Sequence, residues 1–308
     1  MPVRLGDEQV PEYQRPRAER RVPAGIDVGD WRPLQLPGGS LPAKLNTAPD
    51  ELAAVGRVVS AELVKLRTTR SMIAAMTTAA LLVVGVGAIG AVGLVVQDPA
   101  MNGADGPTAD PLGGSVTGVN PAVYAVATLG VIAVTSEYAS GTIKSTLAAV
   151  PRRTQLVVGK AAALAAVTLP VMFAAVVATF LIAQAILSTG DMSLSLTAPG
   201  VARVLGGSAL YLTGVTLLAA GFGWLLRSTA GALAVLFGVL AVLPVIGLLL
   251  PQHVAAAVLP YLPDNAGTAV MQLNPGGQLD PWTGLAVFSG YVLLTLTGAT
   301  VALRRRDA

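Results

Sequence analysis

The stretch Ser136–Lys160, SEYASGTIKSTLAAVPRRTQLVVGK, decides how this chain reads. It is charged, punctuated by Gly141 and Pro151, and set between two apolar stretches that are each long enough to cross a bilayer. A polar segment in that position faces water at one membrane surface. The runs on either side then become spans.

The totals agree. Of 308 residues, 53% are hydrophobic and 12% charged, with a mean hydropathy of +0.67, beyond what a soluble domain carries on its surface. Continuous apolar runs of about 17 to 25 residues favour helices, because barrel strands would alternate apolar and polar positions. The expected fold is an all-α integral membrane protein of six transmembrane helices, with an N-terminal amphipathic interfacial helix and a cytosolic helix between the second and third spans. Zero cysteines exclude disulfides, thiolate metal sites and cysteine nucleophiles. The net charge of +3 comes from cations beside apolar runs, which points to membrane orientation and away from nucleic acid.

Before the segment, residues 1–46 mix seven prolines with clustered charge and carry no apolar period, so a disordered cytosolic tail without a signal peptide is expected. Thr47 and Asp50 have the spacing of a helix start, opening an amphipathic helix over 47–71. Leu52, Val55, Val59, Leu63 and Leu66 form one stripe, expected in the acyl boundary with the cations near lipid phosphates. The apolar region 72–306 then carries spans at about 72–96, 119–135, 156–187, 201–226, 231–250 and 282–303. Within the first, Gly85, Gly87 and Gly90 match a dinucleotide-binding pattern, but no strand or solvent-facing turn accompanies them, so close helix packing is their expected role. Asn120 and Pro121 suit the start of the second span, and Pro170 predicts a tilt or kink in the third. Gly207, Gly214 and Gly221, seven apart, predict a close approach to the fourth. Residues 251–281 are too broken by proline to span and suit short half-helices dipping into the outer leaflet.

Arg57, Lys65, Arg67, Arg70, Lys144, Arg152, Arg153, Lys160, Arg227 and the terminal Arg304–Arg306 run all fall on one side of this six-span plan, with Arg203 the exception. Both termini are therefore expected in the cytosol. No span shows an obvious Asp, Glu, Lys or Arg that could couple transport to an ion, which weighs against a secondary transporter. The string from Gly141 to Thr146 ends like a phosphate-binding loop, but it lacks the glycine before Lys144 and a preceding strand. Read as one helix, Glu137–Val150 places Glu137, Ser140, Gly141 and Lys144 on one stripe and Ile143, Leu147 and Val150 on another, with Pro151 as its stop. His253 has no visible acidic or histidine companion, so neither a metal nor a proton role is expected of it.

The residues Ala61–Ser71 (AELVKLRTTRS), together with Glu137–Leu147, Pro151-Arg152-Arg153 and Lys160, resemble the membrane permease subunits of type 2 ABC exporters, in the subgroup common in actinobacteria. The resemblance covers roughly residues 50–306. It implies a non-enzymatic chain that forms the substrate path in a bacterial inner membrane, pairs with a second permease copy, and binds no cofactor, ATP and magnesium residing on a separate ATP-binding cassette subunit. It further implies an elbow helix at about 52–70, with Glu62, Lys65, Arg67 and Arg70 in the interface. The coupling helix would lie at about 137–148. Glu137, Tyr138, Ser140, Gly141, Thr142, Lys144, Pro151, Arg152 and Arg153 would contact the ATPase. An ion-driven carrier and a non-transporting scaffold or sensor are the competing readings. Cargo is not legible.

Overall fold

In hydrocarbon every backbone N–H must find its acceptor within its own segment, so the long apolar runs of this chain become helices. The computed structural model describes residues 51–96, 110–149, 152–190, 193–273 and 279–306. The tail 1–46, the Thr47–Asp50 helix start and Pro151 lie outside them. Among the described residues the structure is all helix and turn, with six helices long and apolar enough to cross a membrane.

The elements are α1 (Glu51–Thr68), α2 (Arg70–Val96), α3 (Pro111–Val116), α4 (Val119–Ala139), α5 (Ile143–Ala149), α6 (Arg153–Leu187) and α7 (Val201–Leu226). A fifth span follows, built from α8 (Thr229–Phe237), a wide turn at Gly238–Val242, and α9 (Leu243–Gly247). Two short helices, α10 (Gln252–Val258) and α11 (Pro263–Thr268), precede the last span, α12 (Pro281–Arg306). In the wide turn the Leu243 N–H donates to the Gly238 carbonyl five residues back. Pro244 follows at once, and having no N–H it cannot continue the regular ladder.

The centre of the bundle is α7, packed against α4, α6, α8 and α12. Its glycine spacing is met by a matching spacing opposite. A side chain at Gly207 would come within 2.7 Å of Val270, one at Gly221 within 2.6 Å of Thr295, and one at Gly214 into the ring of Phe288. Phe288 and Thr295 are themselves seven apart on α12, so the two helices mesh along one seam. Gly87 and Gly90 do the same for α2, facing Ser115 and Gly114 of α3, so the dinucleotide-like string is a packing surface inside a helix.

Three expectations change. The second span starts earlier than Asn120: Asp110 caps α3 by accepting from the N–H groups of Leu112 and Gly113, and Pro111 occupies the first helical position. Gly118 then carries the chain past the Leu82 and Val83 carbonyls, where a Cβ would stand 2.7 Å from the Leu82 oxygen. The third span is longer than 156–187: α6 runs 35 residues from Arg153, with Pro170 inside the helix, roughly 52 Å at 1.5 Å per residue. That exceeds the hydrocarbon thickness, so one end projects beyond it. Finally, the inward face of α1 is Val58, Glu62 and Leu66, turned toward α6, rather than a purely apolar stripe turned toward lipid. Gly159 of α6 allows that approach, since a Cβ there would stand 2.6 Å from Val58.

The orientation exception also acquires a reason. The Arg203 guanidinium donates to the Val270 carbonyl at 3.0 Å and the Gln272 carbonyl at 2.9 Å. It closes the end of the turn at Ala269–Met271 and ties it to α7.

Candidate functional site

The third span begins beside the end of the second, and α1 lies across both. Lys160 on α6 is 1% exposed, among the most deeply buried large side chains in the protein. Its ammonium has three protons and finds three acceptors: Glu62 Oε2 at 2.7 Å, Glu137 Oε1 at 2.8 Å and the Ala133 carbonyl at 3.1 Å. Lys65, one turn beyond Glu62 on α1, pairs with Glu62 at 3.4 Å and also with Glu137. Two carboxylates and two ammoniums from three helices thus close a neutral cluster.

Each member is where it is for a local reason. Val58, Glu62 and Leu66 recur at four-residue steps, so Glu62 shares the buried face of α1. Glu137 stands near the C-terminal end of α4, where the helix dipole disfavours an anion, and the two lysines offset that. Buried charges need such closure, because an isolated ion transferred from water carries a penalty of several kcal/mol. Lys65 is the member that reaches solvent. Burial works against its charge, but hydrogen bonding and attraction from Glu137 and then Glu62 outweigh that and hold the ammonium above its ordinary range.

The chain leaves this cluster by a sharp turn, which corrects the expectation of a continuous helix over 137–148. α4 ends at Ala139, Gly141 adopts φ +72°, and α5 starts afresh at Ile143. Ser140 and Thr142 join hydroxyls at 2.8 Å, and the Thr142 carbonyl accepts from Ser145 and Thr146. The stripe linking Glu137 to Ser140, Gly141 and Lys144 therefore does not exist. Glu137 faces inward into the ion cluster, whereas Ser140, Gly141, Thr142 and Lys144 are exposed on the turn and α5.

Beside α5 lies an open cleft of about 580 Å³. Ile143 and Leu147 form its apolar floor, with Lys144, Arg153 and Arg227 at its rim. Tyr138 joins the floor to the rim: its ring lies 5.2 Å below the Arg227 guanidinium. Arg227 ends α7 in the left-handed conformation, φ 53°, and its N–H donates to the Gly223 carbonyl. Arg152, Arg67 and Arg70 are exposed nearby in sequence, the first capping α6 and the others flanking the α1–α2 junction. The cleft thus combines an apolar floor with a basic rim beside the short helix α5. Among the described residues no group of His, Cys, Asp and Glu could hold a metal, and His253 is exposed.

The sequence reading missed the Glu62–Lys160 contact, which spans 98 residues. Its one local signal was a carboxylate on the same face as Val58 and Leu66. The reading also missed Asp264 of α11, whose carboxylate accepts a 2.6 Å hydrogen bond from the Tyr211 hydroxyl of α7.

Six helices long and apolar enough to cross a membrane, with a buried ion cluster joining α1 to two of them, define a multi-pass membrane protein. Residues 58–244, more than half of the chain, match the family model of the ABC-2 family transporter protein, and the chain belongs to that family. It is an ABC-2 type permease, the non-enzymatic membrane subunit of an ABC transporter, whose ATPase activity lies on a separate subunit. No curated protein matches the chain as a relative.

Proposed function

We propose that this chain is the permease half of an ATP-driven exporter of a bacterial inner membrane, with both termini cytosolic and a second permease copy beside it, and that α5 is the helix on which the ATPase subunit docks. The observation that carries this reading is the pairing of α5 with the ion cluster. A protruding helix can transmit movement only if its base is rigid, and the turn at Ser140–Thr142 emerges three residues after Glu137, which is held by two lysines on two other helices. A force on α5 is thereby delivered to α1, α4 and α6 together, and through them to the spans. The Lys144–Arg153–Arg227 rim supplies positive charge for acidic side chains of the ATPase, and Arg67 and Arg70 sit where anionic headgroups would meet α1.

The test is co-expression with a candidate ATP-binding cassette subunit. Reversing charge at Lys144 and Arg153 together is expected to abolish co-purification and stimulated ATP hydrolysis, and reversing Lys144 alone, which lies outside the ion cluster, to weaken both while leaving the melting temperature unchanged. Normal assembly and stimulation in that double variant would overturn the assignment.

A further inference from the structure

The junction where α1 gives way to α2 is fixed from within. The Thr69 hydroxyl donates to the Lys65 carbonyl at 2.7 Å, and the Thr69 carbonyl accepts from the N–H groups of Met72 and Ile73 at 3.1 Å each. At this junction lies a cavity of about 250 Å³ walled by α1, α2, α4 and α6. Leu66, Met72 and Leu129 form its floor; all three are buried and belong to one hydrophobic cluster. Arg67, Ile73 and Thr77 also line it but are exposed, so they mark its open side.

The α2 part of the lining falls two to seven residues into the span that starts at Arg70, about 3 to 11 Å along it at 1.5 Å per residue. That is the depth at which lipid headgroups give way to acyl carbon. An apolar cavity of about 150 Å³ already holds a benzene ring, so this one has room for a longer aliphatic segment, and Met72 and Met76 are side chains that adapt to such an occupant. Arg67 brings a guanidinium to the same cavity. Lys65 is engaged in the ion cluster, whereas among the described residues Arg67 bonds no carboxylate and no carbonyl. Its planar fork suits phosphate oxygens, and no acidic side chain lines the cavity to repel an anion or to balance a second cation.

We propose that this cavity binds an anionic phospholipid of the surrounding leaflet, with part of one acyl chain on the Leu66, Met72 and Leu129 floor and the headgroup phosphate held by Arg67. A zwitterionic headgroup fits less well, because its ammonium would come up to Arg67 with no carboxylate beside it. The site differs from the general attraction of surface cations for anionic lipid: Arg57 is also exposed on α1, yet it does not line the cavity. Glu62 lies one turn before Leu66 on the same face, so the occupant rests against the helix that completes the ion cluster. This inference rests on the membrane placement of the spans and not on the docking of an ATPase.

The test uses the full chain in nanodiscs, without any ATPase subunit, so it stands apart from the coupling experiment above. The probes are phosphatidylglycerol and phosphatidylcholine carrying the same photoreactive acyl chain, each a minor component in unlabelled phosphatidylcholine, with labelled peptides mapped by mass spectrometry. Saturable labelling of residues 66–77 and of Leu129 is expected from phosphatidylglycerol, about fivefold above phosphatidylcholine. Arg67→Gln should bring the two lipids level, and Arg57→Gln should leave their ratio as in the parent. Arg67 is exposed and bonds no described residue, so its variant should melt as the parent does. Thr77→Trp, which fills the open side, should lower labelling by both lipids. Equal labelling by both lipids in the parent, an unchanged ratio in Arg67→Gln, or the same loss in Arg57→Gln would overturn the proposal. So would competition by soluble glycerol phosphate, which carries the headgroup anion without a chain.

Discussion

Replacing Lys160 by methionine is the sharpest probe of the ion cluster, because the two side chains have similar length and the substitution removes only the charge and its three donors. Glu62 and Glu137 would then share Lys65 alone, leaving one uncompensated negative charge where both carboxylates are buried. Breaking a buried pair from one side costs about 3 to 5 kcal/mol. Lys65 still contacts both carboxylates and opens to solvent, which places the expected loss at the lower end, about 3 kcal/mol. For a chain of 308 residues that corresponds to a fall in melting temperature of roughly 5 °C. Lys65→Met should lose about 1 kcal/mol at most, because that side chain is 39% exposed and its pairing is screened. The double variant Lys160→Met with Glu137→Gln removes one charge of each sign, and should recover about half of the single loss. Thermal melting of the detergent-solubilised chain, followed by size-exclusion chromatography of the surviving fraction, measures all three. Equal melting of Lys160→Met and Lys65→Met would refute the argument, since it would mean that the cluster is solvated and its burial irrelevant.

Three further outcomes are expected. Gly221→Leu drives a side chain into Thr295, where even a Cβ would stand 2.6 Å from the hydroxyl; overpacking of this kind destabilises by about 1 to 3 kcal/mol, while Gly238→Leu, with nothing within 4 Å of its Cβ, should melt as the parent does. Gly141→Val meets no steric obstacle either, but forces a β-branched residue to φ +72°, costing about 1 to 2 kcal/mol locally; it should lower ATPase stimulation with little change in global melting. Lys65 has a raised folded-state pKa, so its stabilisation is fully present below the unfolded value and lost as pH rises through the folded one; alkaline titration should show a stability loss beginning above about pH 10 that Lys65→Met lacks.

Which parts of this molecule were legible in advance follows from the range of the forces involved. A bilayer imposes its requirement on every consecutive residue, so six spans can be counted from composition, and the glycines of α7 disclose a seam because their spacing is a property of one helix. The break at Gly141 was also written locally: Ser140-Gly141-Thr142 is turn chemistry, and it was passed over because Glu137 and Lys144 fit a helical period that the left-handed glycine forbids. The second span was entered too late for a related reason, Asp110 and Pro111 being as good a cap and first position as Asn120 and Pro121. The ion cluster belongs to another category. Whether Glu62 faces lipid, water or protein is decided by Lys160, and nothing within a turn of either residue announces the other.

That distinction bears on how the protein works. Glu137 was expected to touch the ATPase, and its burial removes it from that surface while giving it a different part in the same event. A docking helix on a flexible base would dissipate movement in the turn that carries it. Here the base is pinned by ionic contacts to α1 and α6, whereas the turn itself has a single left-handed glycine and two hydroxyls that bond each other. The flexible point therefore lies between the cluster and α5, three to five residues from Glu137. If the ATPase docks on α5 as proposed, this geometry would let α5 adjust its angle to the partner without loosening the spans, and the lysine-bound carboxylate would be the place where a change of angle becomes a change in helix position. Weakening the cluster should then uncouple ATP hydrolysis from transport even where assembly survives, an effect separable from loss of docking at Lys144.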